Sequence, residues 1–258
     1  MFIWMLLFHK IKISRVYFKF LIMLKILKNR LLKKTMIYHI YRYFKYKKNY
    51  FPSYGATGED VLINKIFKNK IDGFFVDVGA LHPVNGSLTY NLSKKGWKGL
   101  NIDLLKENLI LFNLFRKQDK NLNLAISKNK GIINAYIFER GSGVNTTNKN
   151  WADKWKKKIG KNYSILKIKK NSLNNVLLAH KISKKFELLN IDVEGHEMEV
   201  LKGINLKNIR PKIITIEIHV EKTEQNFKTQ IYKLLKKTTM NLFHNIIKHL
   251  FLRVMNSI

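Results

Sequence analysis

From residue 59 onward, short runs of Val, Ile, Leu and Phe alternate with segments in which apolar residues recur at helical spacing. This alternation is typical of a parallel β-sheet flanked by helices. The apolar runs are nearly continuous, as expected of strands that are buried on both faces. The predicted strands are 74–80, 99–104, 122–127, 186–192 and 213–219.

The segments between these runs predict helices, and residues that cap or end helices occur at several of the predicted ends. Ser87 can cap the start of one helix, while Gly96 and Gly203 lie where helices usually stop. The predicted helices are 59–69, 87–95, 105–116, 172–182, 196–202 and 227–237. Two further strands, 133–138 and 165–169, belong to an insertion, and 238–244 with 250–254 form a closing hairpin. We therefore expect an α/β fold with a doubly wound, mostly parallel sheet.

The first 58 residues differ in character from the rest, because they contain 13 Lys and Arg and no acid. We expect residues 1–51 to form a basic amphipathic extension, helical in character, and 52–258 to form the main domain. The apolar opening is shorter than the roughly 20 residues that cross a bilayer, and no basic stretch precedes it, so no signal peptide is expected. Two arrangements suit the extension: a helix lying in an anionic membrane interface, or helices packed on the main domain.

The whole chain is strongly basic, with 49 Lys and Arg against 17 Asp and Glu. Such a charge favours nucleic-acid binding in general. Lys, Asn and Ile are abundant everywhere, however, including loops and the outer faces of helices, which indicates a compositional bias of the whole chain. A nucleic-acid partner is therefore not expected. The absence of Cys excludes thiol nucleophiles and zinc ribbons.

Acids are scarce, yet five of the 17 fall at the exits of predicted strands. Ligands of open α/β sheets bind at this edge. Asp77 and Gly79 end the first run, and Asp103 ends the second, where a carboxylate can accept both hydroxyl hydrogens of a ribose. Gly79 and Gly86 are too far apart for the dinucleotide fingerprint GxGxxG. An adenosine ligand without phosphates, such as S-adenosylmethionine, fits this pattern.

The densest polar cluster follows the fourth run and contains Asp192, Glu194 and His196. Glu217 ends the fifth run, so acids from two strands are expected to share one crevice. A crevice of negative potential would attract a sulfonium cation. The set Asp192, Glu194 and His219 is too loosely spaced to indicate a metal, and none is assigned.

Several segments carry a resemblance in their order and spacing. They read SYGATGED, FFVDVGALHP, GWKGLNID, NLAIS, LLNIDVEGHEMEVLKG and RPKIITIEIH, between residues 52 and 245. The chain resembles the FkbM family of S-adenosylmethionine-dependent methyltransferases. The resemblance implies a class I methyltransferase (Rossmann-like) fold with a seven-stranded sheet. It also implies methyl transfer to a hydroxyl of a sugar, glycan or polyketide-type acceptor.

The resemblance assigns roles to matching positions. It implies that Asp77, Gly79 and Ala80 line the cofactor, that Asp103 holds the ribose and that Ala125 lies near the adenine. Asp192 and Glu194 would occupy the acceptor side. The candidate general bases are Asp192, Glu194, His196, His82 and His219. The insertion 141–164, with Trp151 and Trp155, is expected to set acceptor specificity.

Two other functions stay open at this stage. One is an RNA-modifying methyltransferase that uses its basic surface, although no aromatic-rich single-strand motif is present. The other is a non-catalytic scaffold at a membrane surface. We expect a small-molecule or glycan acceptor, a cytoplasmic location, and contact with the inner face of the membrane through residues 1–50.

Overall fold

The computed structural model describes residues 52–218 continuously, together with parts of both ends of the chain. Those parts are helical residues 36, 37, 40, 41, 44, 230, 231 and 233–235, and the backbone of strands at 241–244 and 249–253. The chain forms two compact units, Met1–Pro52 and Ser53–Ile258. None of the helices in the described parts combines the length and the apolar character needed to cross a bilayer.

Ten strands are described, and seven of them form the main sheet. The strands are β1 (Phe74–Val78), β2 (Lys98–Asp103), β3 (Lys120–Asn123), β4 (Ala125–Ile126), β5 (Gly131–Ile137), β6 (Ser164–Asn171), β7 (Lys185–Ile191), β8 (Arg210–Glu217), β9 (Asn241–His244) and β10 (His249–Arg253). The main sheet has the order β3-β2-β1-β7-β8-β10-β9. Strands β3 to β8 of this order are parallel, and β10 runs antiparallel to both β8 and β9. The predicted doubly wound sheet with a closing antiparallel hairpin is confirmed.

The central strands are buried on both faces, as their apolar sequences predict. Val76, Leu189 and Ile214 are neighbours across three strands, and each is fully buried. The preceding residue, Phe75, points to the opposite face and packs with Trp97 in a second cluster. Burying side chains of this size stabilises the fold by about 1.5–3 kcal/mol each. Helices therefore cover both faces, and the carboxyl ends of the parallel strands stay accessible.

The prediction of one strand over 122–127 is wrong, because the chain changes sheets at Leu124. The Leu124 N–H donates to the Asp103 carbonyl oxygen at 3.0 Å, which closes the edge of the main sheet. Strand β4 then pairs with β6 in a second sheet of order β4-β6-β5. The nearly continuous apolar run 122–127 therefore contains a break between two sheets.

Six helices are described in the range 52–218. They are α1 (Glu59–Ile66), α2 (Tyr90–Lys94), α3 (Lys106–Phe115), α4 (Lys149–Ile159), α5 (Leu173–Ala179) and α6 (Glu197–Lys202). The predicted cap at Ser87 is wrong: α2 begins after Thr89, since Ser87 is buried beside Arg116, whose Nη1 lies 3.4 Å from the Ser87 hydroxyl oxygen. The stop at Gly96 agrees with its φ of 91° directly after α2. Helix α4, in the insertion, was not predicted.

Candidate active site

The site lies where the strand order reverses. From β1 the chain proceeds to β2 and β3 on one side, whereas β7 proceeds to β8 on the other. Ligands bind outside the carboxyl ends of the strands at such a switch point. A cleft with an empty volume of about 930 Å³, part of it open to solvent, lies at this point.

Of the residues predicted for the site, His82 is absent from the lining of this cleft, and eight others line it. They are Asp77, Gly79, Ala80, Asp103, Ala125, Asp192, Glu194 and His196. The insertion adds part of one wall through Ser142, Gly143, Asn145 and Thr147. The strand-exit pattern therefore located the cleft, while the role of each residue stays a prediction.

Gly79 makes the turn after β1 and cannot carry a side chain. Its φ is +89°, and a Cβ added there would lie 1.7 Å from the carbonyl oxygen of Asp192. Its N–H donates to the Ile102 carbonyl oxygen at 2.9 Å. The exits of β1, β2 and β7 consequently meet around one glycine.

Asp77 is buried in the cleft wall, and both of its carboxylate oxygens accept hydrogen bonds. Thr89 Oγ1 and Asn190 Nδ2 each donate to it at 2.9 Å. Burial raises the pKa of the Asp77 carboxyl, and the hydrogen bond from Asn190 opposes the rise. Asp77 therefore stabilises the turn after β1 from a buried position in the wall of the cleft.

Asp103 is held by three donors at the end of β2. Its Oδ2 accepts from the Leu81 N–H at 2.9 Å, and its Oδ1 accepts from the Leu105 N–H at 2.8 Å and from Asn108 Nδ2 at 2.9 Å. Burial raises the pKa of this carboxyl, while the Leu105 hydrogen bond lowers it. Since a carboxylate offers about four acceptor sites, one on Oδ2 is left for a ligand hydroxyl.

Three carboxylates converge at the ends of β7 and β8. One oxygen each of Asp192, Glu194 and Glu217 lies within 4.8 Å of the others. Burial, followed by the neighbouring Glu217, raises the pKa of Asp192 well above its ordinary value. Carboxylate oxygens this close together are also ligands that a divalent cation takes, and the set contains Glu217 and not His219, which the sequence analysis considered. His219 itself lies outside the described residues.

The insertion binds the loop after β7 through three hydrogen bonds. Thr146 Oγ1 donates to the Glu194 carbonyl oxygen and Asn148 Nδ2 to that of Gly195, both at 2.7 Å. Trp151 Nε1 donates to Glu194 Oε2 at 2.9 Å. Glu194 has a φ of 53°, a left-handed conformation that costs a non-glycine residue roughly 1–2 kcal/mol. These hydrogen bonds help to offset that cost.

The two described histidines near the site differ in environment. His196 precedes α6, and burial lowers the pKa of its imidazole, which is therefore neutral at pH 7. Its Nε2 is buried and has no hydrogen-bond partner among the described residues. His82 Nδ1, by contrast, accepts from the Val84 and Asn85 N–H groups and holds a turn. Of the two, His196 is the better placed to accept a proton.

A buried arginine behind the cleft was missed by the sequence reasoning. Arg116 Nε donates to Asp119 Oδ2 at 2.8 Å, and both side chains are at most 1% exposed. Arg116 Nη2 donates to Thr89 Oγ1 at 3.0 Å, and Thr89 in turn donates to Asp77. One Arg among 49 basic residues gives no signal of such a role.

The charge of the cleft is opposite to that of the chain. Four carboxylates line it (Asp77, Asp103, Asp192 and Glu194), and no Lys or Arg is among the described residues of its lining. Phosphate sites normally use Lys, Arg or a helix N-terminus. A lining rich in carboxylates and without a basic side chain fits a phosphate-free cation, as the sulfonium of S-adenosylmethionine is.

The sequence comparison agrees with this assignment. The family model described as Methyltransferase FkbM domain matches residues 77–255, which is 179 of the 258 residues. The chain belongs to the FkbM methyltransferase family. The resemblance noted in the sequence is confirmed, and the methyl donor of this FkbM domain is S-adenosylmethionine. No curated protein matches the chain significantly.

Several solved methyltransferase structures are similar to the FkbM chain. A TehB-like S-adenosylmethionine-dependent methyltransferase from Corynebacterium glutamicum is 11% identical, with a TM-score of 0.40 over 84% of this chain and 96% of that one. A 1,6-didemethyltoxoflavin-N1-methyltransferase from Burkholderia thailandensis, with S-adenosylhomocysteine bound, is 9% identical, with a TM-score of 0.41 over 77% of each chain. A methyltransferase from Aquifex aeolicus is 11% identical, with a TM-score of 0.36 over 75% and 89%. None of these similarities identifies the acceptor.

Proposed function

We propose that this protein transfers a methyl group from S-adenosylmethionine to a hydroxyl of a sugar, glycan or related metabolite. The observation that carries the proposal is the convergence of Asp192, Glu194 and Glu217 beside the turn that Gly79 makes after β1. The Asp192 backbone contacts the position of Gly79 directly, so the acidic cluster and the cofactor region are continuous. Carboxylates are strong acceptors of hydroxyl hydrogen bonds, which suits a polyhydroxylated acceptor.

On the cofactor side, the chain supplies shape and hydrogen-bond acceptors. Bound S-adenosylmethionine supplies a methyl group that is already activated by its sulfonium. Gly79 and Ala80 would contact it through their backbone, and Asp103 Oδ2 would accept one ribose hydroxyl. Leu104, Ala125 and other apolar lining residues would enclose the adenine.

On the acceptor side, the chain has to position an oxygen and remove its proton. Alignment of the oxygen within about 3–3.5 Å of the reacting carbon supplies much of the rate. Asp192 would accept the proton, since its raised pKa makes the carboxylate a stronger base than an ordinary Asp. A positioned base contributes roughly 10²- to 10⁴-fold. Glu194, oriented by Trp151, would hold the hydroxyl, and the neutral imidazole of His196 would assist proton removal.

The test compares cells that make this protein with cells that lack its gene. Mass spectrometry of glycans and small metabolites should show a methylated species that disappears with the gene. Wild-type protein should restore the species, and the Asp192→Asn variant should not. Methyl loss confined to RNA nucleosides, or restoration by Asp192→Asn, would contradict the proposal.

A further inference from the structure

A stripe of apolar side chains lies exposed on a helical part of the amino-terminal unit. Residues 36, 37, 40 and 44 are helical, and at 3.6 residues per turn they fall within an arc of about 100°. Met36 is 77% exposed, Ile37 65%, Ile40 50% and Phe44 58%. Large exposed apolar patches on protein surfaces mark sites of interaction with proteins or membranes.

The charge around this stripe selects the partner. The first 58 residues contain 13 Lys and Arg and no acid, and eight of those bases fall between residues 28 and 48. A nucleic acid would neutralise the bases but leave the apolar side chains in water. A second copy would cover the apolar side chains but bring two segments of like charge together. An anionic bilayer accommodates both the bases and the apolar side chains, because its headgroups attract Lys and Arg while its acyl boundary takes up apolar side chains.

We propose that the apolar stripe formed by Met36, Ile37, Ile40 and Phe44 docks the protein on an anionic membrane surface. The stripe enters the interface between headgroups and acyl chains, and the bases nearby in the sequence contact lipid phosphates. Attachment of this kind depends on anionic lipid and weakens with salt. It requires neither a spanning helix nor any activity of the cleft, and so it stands apart from the proposed function.

The experiment is co-sedimentation of the purified full-length protein with vesicles. The vesicles are phosphatidylcholine alone or a mixture with about 30% phosphatidylglycerol, each at about 0.1 M and 0.5 M salt. Binding to the anionic vesicles at low salt should be at least tenfold tighter than to phosphatidylcholine or at high salt. Equal binding to both kinds of vesicle, or no binding, would overturn the proposal.

Two variants assign the binding to the stripe. The double variant Ile37→Glu, Ile40→Glu should lose at least tenfold in affinity for anionic vesicles. The matched control, Ile71→Glu with Leu178→Glu, makes the same change at two side chains that are each 77% exposed in the other unit, and it should bind like wild type. Retained binding by the first variant, or an equal loss in both, would refute the assignment to the stripe.

A third variant and a measurement without lipid cover the remaining outcomes. If the first variant does not fold, Lys33→Gln with Lys34→Gln and Arg42→Gln keeps the apolar stripe and should still weaken binding several-fold. Unchanged binding by this variant would remove the electrostatic part of the proposal. If the wild-type chain ignores vesicles but self-associates, and Ile37→Glu, Ile40→Glu makes it monomeric, the stripe is a contact between copies and the proposal fails.

Discussion

The indole N–H of Trp151 donates to Glu194 Oε2 at 2.9 Å across 43 residues of sequence. This hydrogen bond joins the first turn of the insertion helix α4 to the loop after β7. The insertion is therefore part of the wall of the cleft, and it fixes a carboxylate there. The segment that we expect to set acceptor specificity therefore also orients this carboxylate.

Replacing Trp151 with Phe keeps an aromatic ring but removes this donor. We expect the free energy of unfolding to fall by about 1.5–3 kcal/mol, the usual range for a hydrogen bond to a charged group. Urea denaturation measures the change. Trp155→Phe is the matched control on the same helix and should cost less than about 1 kcal/mol, since no hydrogen bond of its indole is described. Equal losses in both variants would mean that ring packing, and not the donor, matters at Trp151.

Replacing Asp103 with Ala should weaken S-adenosylmethionine binding at least tenfold, or about 1.4 kcal/mol, as titration calorimetry would show. The loss has two sources, because Asp103 both offers an acceptor to the ribose and holds the Leu81 and Leu105 backbones. Urea denaturation of the same variant separates a loss of stability from a loss of affinity. Asp72→Ala, an exposed acid outside the cleft, should leave the affinity unchanged. Wild-type affinity in Asp103→Ala would disprove the ribose assignment.

Replacing Asp192 with Asn should stabilise the fold at neutral pH while abolishing methyl transfer. The folded-state pKa of Asp192 is raised above its ordinary value of 3.8, first by burial and then by Glu217. The buried charge therefore destabilises the fold increasingly as the pH rises from about 4 through the raised pKa, and it costs nothing below that window. Thermal unfolding at a series of pH values should show a gain for Asp192→Asn at pH 7–8 that vanishes near pH 4.

The control for this pH dependence is a carboxyl whose pKa is shifted in the opposite direction. The Lys149 hydrogen bond lowers the pKa of Asp153, a partly exposed carboxyl in α4. Asp153→Asn should therefore give no stabilisation at neutral pH. A gain of the same size in both variants would show that the effect comes from lowering net charge and not from the buried cluster.

Replacing Gly79 with Ala should destabilise the protein by several kcal/mol and eliminate cofactor binding. The added Cβ would meet the Asp192 carbonyl oxygen, and the backbone there has a φ of +89°. Gly58 has a similar φ of +85°, and no atom lies within 4 Å of a Cβ added there. Gly58→Ala therefore measures only the cost of a left-handed backbone, roughly 1–2 kcal/mol. Calorimetric melting of both variants provides the comparison. Equal losses would contradict the close approach of β1 and β7.

The cleft could be located from sequence because its position follows from the topology of the sheet. Parallel strands end at one edge, so acids at the carboxyl ends of β1, β2 and β7 converge whatever the details of packing. Asp103 illustrates the limit of that logic. Its position was predicted, whereas its three hydrogen bonds were not, and one of them depends on the backbone of Leu81, a non-glycine residue with a φ of 53°.

The errors have separate physical causes. The break at Leu124 was missed because apolar residues continue on both sides of Asn123, whereas the pairing of β3 with β2 and of β4 with β6 reveals the change of sheet. Helix α4 was missed because its sequence is mostly polar, although its ends carried usable signals. Asn148 caps the start by accepting from the Trp151 N–H, and Gly160 ends the helix with a φ of 66°.

The acidic cleft has a consequence for how the donor reaches it. A positively charged molecule approaching from bulk water meets the repulsive field of a protein with a net charge of +32, whereas the carboxylates that line the cleft attract it at short range. Dissolved salt screens interactions beyond a Debye length of about 8–10 Å but weakens the close carboxylate contacts far less. Encounter should therefore become faster as ionic strength rises, the reverse of the behaviour of enzymes that draw in their ligands by long-range attraction.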